Sequence, residues 1–86
     1  MWFVYILECE NKAFYTGVTN NIERRYKEHL NKKAHYTSYN PPVRLAYKET
    51  YQTRSEALKR EAQIKGWTRK KKIALINGDL ILLKQL

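Results

Sequence analysis

Residues 2–18 read WFVYILECENKAFYTGV, and the pattern within them decides the fold. Trp2 to Glu8 is rich in aromatic and β-branched residues, the composition of a pleated, half-buried strand. Glu10-Asn11-Lys12 is a polar break, and Ala13 to Val18 returns to strand composition. Two short strands around three polar residues make a hairpin. With the turn centred on Asn11, Tyr5 falls opposite Gly17 and Leu7 opposite Tyr15. Side chains alternate along a strand, so Tyr5, Leu7, Tyr15 and Gly17 are expected on one face. That face carries two phenols beside a glycine, where a ligand can approach the backbone.

Outward from the hairpin, residues 19–30 (TNNIERRYKEHL) read as a helix. Asn20 is the expected N-cap, with Glu23 as its capping-box partner. Ile22, Tyr26 and Leu30 form the apolar stripe. At about 100° per residue, Arg25 and His29 lie roughly 20–60° from Ile22, along the stripe's edge. Arg24, Lys27, Glu28 and Asn31 point to solvent on this reading, so only Arg25 of the arginine pair is aimed at the sheet. Lys33 to Asn40 is a polar, aromatic-spotted loop closed by Pro41-Pro42. Val43, Leu45, Tyr47 and Tyr51 then alternate with polar residues, giving a third strand with one buried face. Thr53 and Glu56 form a T-x-x-E capping box for a second helix that runs to Gly66. A third helix begins after Thr68 with four cations, Arg69 to Lys72, in its first turn, where they oppose the helix dipole and invite an anion. Asp79 to Leu86 reads as a short capping helix.

The 86 residues support one domain, 1–86, with a single modest core. Cys9 is the only cysteine, so no intrachain disulfide forms, and Cys9 with His29 and His35 cannot complete a structural zinc site. No apolar run approaches membrane-spanning length, and the start MWFVYILECE shows no basic leader, so a reducing cytoplasm is the expected location. Seventeen Lys and Arg against eight Asp and Glu give a net charge of +9. That balance favours a polyanionic partner, nucleic acid before an anionic membrane surface. Neither main helix backs a basic face with the strongly apolar one that a membrane surface requires.

The second helix holds the least expected residue. With Arg54 at 0° and steps of about 100°, Ala57, Ile64, Leu58 and Ala62 span an apolar arc, and Glu61 falls inside it. A carboxylate on the core side is costly unless a cation, a metal or hydrogen bonds satisfy it. Two explanations stay open on periodicity alone. One is an internal Glu61–Lys65 pair four residues apart, worth a few tenths of a kcal/mol, ~0.3, on an exposed helix. The other is a Mg²⁺ site, which often takes one carboxylate and completes itself with water and phosphate oxygens.

The ordered set Val4-Tyr5-Ile6, Tyr15-Thr16-Gly17, Thr19-Asn20, Arg25, His29 and Glu61 resembles the signature of the GIY-YIG endonucleases. The strings AHYT…PPVRLAY and EALKREAQIKGW are similar to those of its compact, stand-alone bacterial members. The resemblance implies that Glu61 is the sole protein ligand of a divalent cation, Mg²⁺ or Mn²⁺. It implies that Tyr5 and Tyr15 position or deprotonate the attacking water and that Arg25 contacts the scissile phosphate. His29 would assist proton transfer or orient a tyrosine, and Gly17 would let the backbone approach the substrate. Val4 and Thr16 depart from the family's Gly and Ile, and Val18 stands where some members place a phosphate-holding Lys. Lys65 or the Arg69, Lys70, Lys71, Lys72 run is then expected to supply that cation.

The expected architecture is α/β, a small three-stranded antiparallel sheet flanked by helices. The expected function is a Mg²⁺-dependent endonuclease on single-stranded, duplex or branched DNA, with RNA as a further substrate class. Lys32, Lys33 and Arg44 are added to Arg69–Lys72 as expected phosphate contacts. Two rival readings are a non-catalytic nucleic-acid-binding module of the same fold and an adaptor for an acidic protein, the latter leaving Glu61 unexplained.

Overall fold

In the computed structural model, which describes residues 1–31 and 40–85, β1 (Trp2–Cys9) is the centre of a three-stranded sheet. It pairs antiparallel with β2 (Phe14–Thr19) on one side and β3 (Pro42–Tyr51) on the other. Four helices accompany the sheet: α1 (Ile22–Leu30), α2 (Arg54–Lys65), α3 (Arg69–Ile76) and α4 (Leu80–Gln85). Most of the expected polar loop, with Lys32, Lys33 and His35, lies outside the described residues, as does Leu86. Among the described residues no helix is long and apolar enough to cross a membrane.

The hairpin closes as its polar break requires. Cys9 N–H donates to Ala13 O at 2.9 Å, and Lys12 N–H donates to Cys9 O at 2.8 Å. Lys12 sits at φ +70°, a left-handed conformation that costs a side-chain-bearing residue about 1–2 kcal/mol. The Asn11 side-chain oxygen offsets this by accepting from Ala13 N–H at 2.9 Å and from Asn40 Nδ2 at 2.6 Å. The resulting register puts Tyr5 opposite Gly17 and Leu7 opposite Tyr15, as the alternation dictates.

The third strand departs from its expected pattern. A register shift between Ile6 and Leu7 divides β3 into two segments that present opposite faces. Tyr47 and Tyr51 stand opposite Ile6 and Trp2, whereas Leu45 stands opposite Leu7 on the other side of the sheet, and Val43 is exposed. A bulge inserts one residue and reverses the facing of everything beyond it. Val43, Leu45, Tyr47 and Tyr51 therefore do not share one buried face.

Helices cover both sides of the sheet. On one side Val4 and Ile6 join Ala57 and Ile64 of α2 and Leu75 of α3 in the main core, flanked by Trp2, Phe14, Val18, Tyr47, Tyr51 and Trp67. Truncating a fully buried residue such as Ile64 to Ala costs about 2–5 kcal/mol. On the other side Ile22 and Tyr26 of α1 meet Tyr5, Leu7 and Leu45.

Both principal helices bury a stripe at i, i+3, i+4, i+7 with charge inside it. In α1 the stripe is Ile22, Arg25, Tyr26 and His29; His29 is wholly buried, while the expected Leu30 is exposed. In α2 it is Ala57, Arg60, Glu61 and Ile64, with Leu58 and Ala62 outside it. Arg60 was expected to face solvent. Instead its Nε and Nη2 reach Glu49 Oε1 and Oε2 at 2.9 and 3.2 Å. Tyr47 and Tyr51 donate their hydroxyls to the same carboxylate at 2.5 and 2.6 Å. Burial opposes the charge on Glu49, but Arg60 and the two phenols outweigh it and hold its carboxyl below the usual range.

The caps set where these stripes begin. Asn21, not Asn20, caps α1, its side chain accepting from Arg24 N–H at 3.0 Å. Thr53 and Glu56 form the full capping box of α2. Thr68 caps α3, and beyond that helix Gly78 takes the left-handed φ of +69° that lets the chain turn into α4.

Candidate active site

An open cleft of about 590 Å³ wraps around β2, the edge strand, and draws one wall from each side of the sheet. Tyr5, Tyr15, Arg25 and Glu28 line the wall toward α1; Trp2, Arg54, Leu58 and Glu61 line the wall toward α2. Gly17, Val18 and Thr19 lie between the two walls, with Asn20 and Arg24 also lining the cleft. The fold thus brings Tyr5, Tyr15, Gly17, Arg25 and Glu61 into one space, although α1 and α2 pack on opposite faces.

His29 lies behind this wall. Its Nε2 shares a 3.0 Å hydrogen bond with the Tyr5 hydroxyl, and its ring meets Tyr15 edge-on at 4.9 Å between centroids. Burial, aided by the charge of Arg25, lowers the His29 pKa to about 4. Burial also pushes the Tyr5 phenol up to about 12, although hydrogen bonding from Arg25 opposes the shift. At neutral pH the pair is therefore a phenol and a neutral imidazole. In the tautomer with its proton on Nδ1, His29 Nε2 accepts the Tyr5 O–H. Burial disfavours charge on Arg25, but hydrogen bonding to Tyr5 and Tyr15 prevails and keeps the guanidinium ionised.

Gly17 lines the cleft and also makes room for Tyr5. A Cβ there would fall 2.6 Å from Tyr5 Cζ and 3.0 Å from Tyr5 Cε1. The missing side chain is the space that the Tyr5 ring occupies on its way to His29.

Glu61 makes the internal ion pair left open by its helical angle and also lines the cleft. Its Oε2 lies 3.4 Å from Lys65 Nζ. That ion pair is weak, because Lys65 is half-exposed. Among the described residues no group of three or more His, Cys, Asp or Glu could enclose a metal. One carboxylate in an open cleft that two phenols also line suits a hard, largely hydrated cation and does not suit zinc. The donor set fits Mg²⁺ or Mn²⁺ held by Glu61.

The described cations expected to contact phosphate lie apart from the cleft. Lys65, Arg69, Lys70 and Lys71 do not line the cleft. Arg69 donates to Lys12 O at 2.7 Å and covers the Phe14 ring at 4.5 Å, which ties α3 to the hairpin turn. Lys71 Nζ sits 4.5 Å from the centre of the Trp67 ring. Arg44 pairs with Glu8 at 2.6 Å on the far strand. Among the described residues the cleft's cations are Arg24, Arg25 and Arg54. Arg24 is exposed, as expected, while lining the cleft, and its Nη2 donates to Asn20 Oδ1 at 3.1 Å. Glu28 also turns into the cleft, 3.8 Å from Arg25 Nη1. The signals for these residues were present but faint: Glu28 is one turn beyond Arg25, and Arg54 follows the capping Thr53 directly.

The GIY-YIG catalytic domain matches residues 1–74. A UPF0213 protein of Staphylococcus epidermidis is 48% identical over 75 residues, covering 86% of this chain and 92% of its own length. A UPF0213 protein of Staphylococcus aureus is 47% identical with the same coverage. The solution NMR structure of the UPF0213 protein of Bacillus halodurans matches at a TM-score of 0.58 with 38% identity, over 90% of this chain and 84% of that one. Every residue of the cleft lies within the matched span, and the chain belongs to the GIY-YIG family of nuclease domains.

Proposed function

We propose that this protein is a Mg²⁺- or Mn²⁺-dependent endonuclease that hydrolyses phosphodiester bonds in DNA. The observation that carries the reading is one cleft in which a Tyr5–His29 hydrogen bond and Arg25 face Glu61 across Gly17. Phosphodiester hydrolysis needs a proton acceptor for water, a cation at the phosphate and Lewis-acid help. A phenol with a pKa near 12 is a poor base alone. His29, neutral and 3.0 Å away, gives the phenolic proton somewhere to go as Tyr5 takes one from water. Arg25, which lines the cleft with the phenols, stands where it can take the charge that builds on the phosphate. The metal, when bound by Glu61, supplies further neutralisation of that charge. Tyr15 completes the wall and orients the substrate against Arg25.

The test is incubation with labelled single-stranded, duplex and branched DNA, and with RNA, in Mg²⁺ or in chelator. Cleavage that needs metal and disappears in Glu61→Ala, with circular dichroism and DNA binding retained, is the expected result. Metal-independent cleavage, or full activity of Glu61→Ala, overturns the assignment.

A further inference from the structure

We infer that Trp2 and Arg54 form a subsite for the nucleotide next to the scissile phosphate, with the indole stacking on its base. This rests on the nuclease reading of the same cleft. The catalytic wall accounts for Tyr5, Tyr15 and Arg25, and leaves Trp2, Arg54 and Leu58 on the facing wall without a task in the chemistry. Trp2 is only partly buried and packs against the core. The Arg54 guanidinium carbon lies 5.8 Å from the centre of its ring, a cation–π distance. Arg54 itself is exposed, and Leu58 beside it is 37% exposed, so both are open to a ligand in the cleft.

An indole, an adjacent aliphatic side chain and a guanidinium suit one type of ligand: a flat aromatic base carried on a phosphate. Such a wall offers π-face and charge, with few groups to read the edge of a base. Binding by stacking tolerates all four bases, since each has a π-face. A base inside a duplex has both faces covered by its neighbours, so the subsite admits only an unpaired or extruded nucleotide. The substrate class is therefore DNA with at least one unpaired base beside the cleaved phosphate, met in single strands, flaps and gaps.

The experiment uses a Trp67→Phe variant, in which Trp2 is the only tryptophan. Its fluorescence is titrated with a single-stranded oligonucleotide and with an abasic strand of equal length and charge. The base-bearing strand should quench Trp2 and bind about 5- to 150-fold more tightly than the abasic one. Trp2→Leu should erase that preference, Trp2→Phe should restore part of it, and Arg54→Ala should weaken both strands. Equal affinity of the two strands for the Trp67→Phe protein overturns the subsite, as does a preference that survives in folded Trp2→Leu. Loss of fold in Trp2→Leu leaves the quenching comparison to decide. Quenching and base preference without any cleavage would refute the nuclease reading and keep the subsite. Metal-dependent cleavage at equal rates beside normal and abasic nucleotides would do the reverse.

Discussion

Burying His29 under Tyr5 makes this fold sensitive to mild acid. The imidazole is wholly buried, and its pKa falls from 6.5 to about 4, chiefly through burial. Above pH 6.5 it is neutral whether the chain is folded or not, and contributes no pH dependence. Between pH 6.5 and about 4 the unfolded chain binds a proton that the folded chain refuses, so stability falls as pH falls. Each pH unit of that window costs about 1.4 kcal/mol, or about 3 kcal/mol once pH 4 is reached. Against a typical total of about 5–15 kcal/mol, such a loss is readily measured. His29→Gln keeps a polar partner for the Tyr5 hydroxyl and cannot titrate. Urea unfolding, followed by tryptophan fluorescence at half-unit steps from pH 7.5 to 4.5, gives both stabilities. The difference between wild type and His29→Gln should narrow, then reverse, as pH falls. Glu49, held low by Arg60, loses its contribution only below the ordinary carboxylate range, and it does so in both proteins. Parallel stability curves from pH 6.5 to 4.5 would refute the account of His29 as a buried neutral base.

Three other measurements bear on the cleft and the sheet. Arg25→Ala should lower the cleavage rate about 10²- to 10³-fold, as expected for loss of a donor to transition-state charge, and Arg24→Ala should chiefly raise the substrate concentration needed; equal losses in kcat would erase the distinction. Thr16 Oγ1 is buried without a hydrogen-bond partner among the described residues, so Thr16→Val should stabilise the protein by about 1 kcal/mol in urea unfolding, and destabilisation would mean the hydroxyl is satisfied after all. Since Lys70 and Lys71 lie off the cleft, replacing both by Ala should flatten log K against log salt by about one unit per phosphate contact while leaving kcat unchanged, and an unaltered slope removes them from the interface.

How far the sequence could be read follows from the range of the signals. The hairpin register was legible because a period of two and a three-residue break are local facts. The capping box at Thr53 was legible for the same reason, whereas neighbouring Asn20 and Asn21 are chemically equivalent caps and only the structure separates them. The bulge in β3 leaves no mark in composition, so Leu45 was assigned to the wrong side of the sheet. The buried stripes of α1 and α2 are rotated from their apolar arcs because His29 and Arg60 find partners on the sheet that no helical wheel contains. The α3 cations drew attention as a run, yet the cleft takes Arg24 and Arg54, residues that docking of two separate helices brings together.

The absent side chain at Gly17 has an evolutionary consequence. The ring of Tyr5 occupies the volume that any larger residue at position 17 would claim. Drift at position 17 is therefore gated by position 5: an alanine is tolerated only after the ring has moved or shrunk, and a smaller residue at position 5 forfeits the link to His29. The two positions form a ratchet. A lineage that loses the glycine first loses the phenol's seat with it, and once position 5 has changed in turn, restoring the chemistry requires both reversions. Decayed relatives of this fold should accordingly show altered residues at 5 and 17 together, with position 29 freed to become apolar.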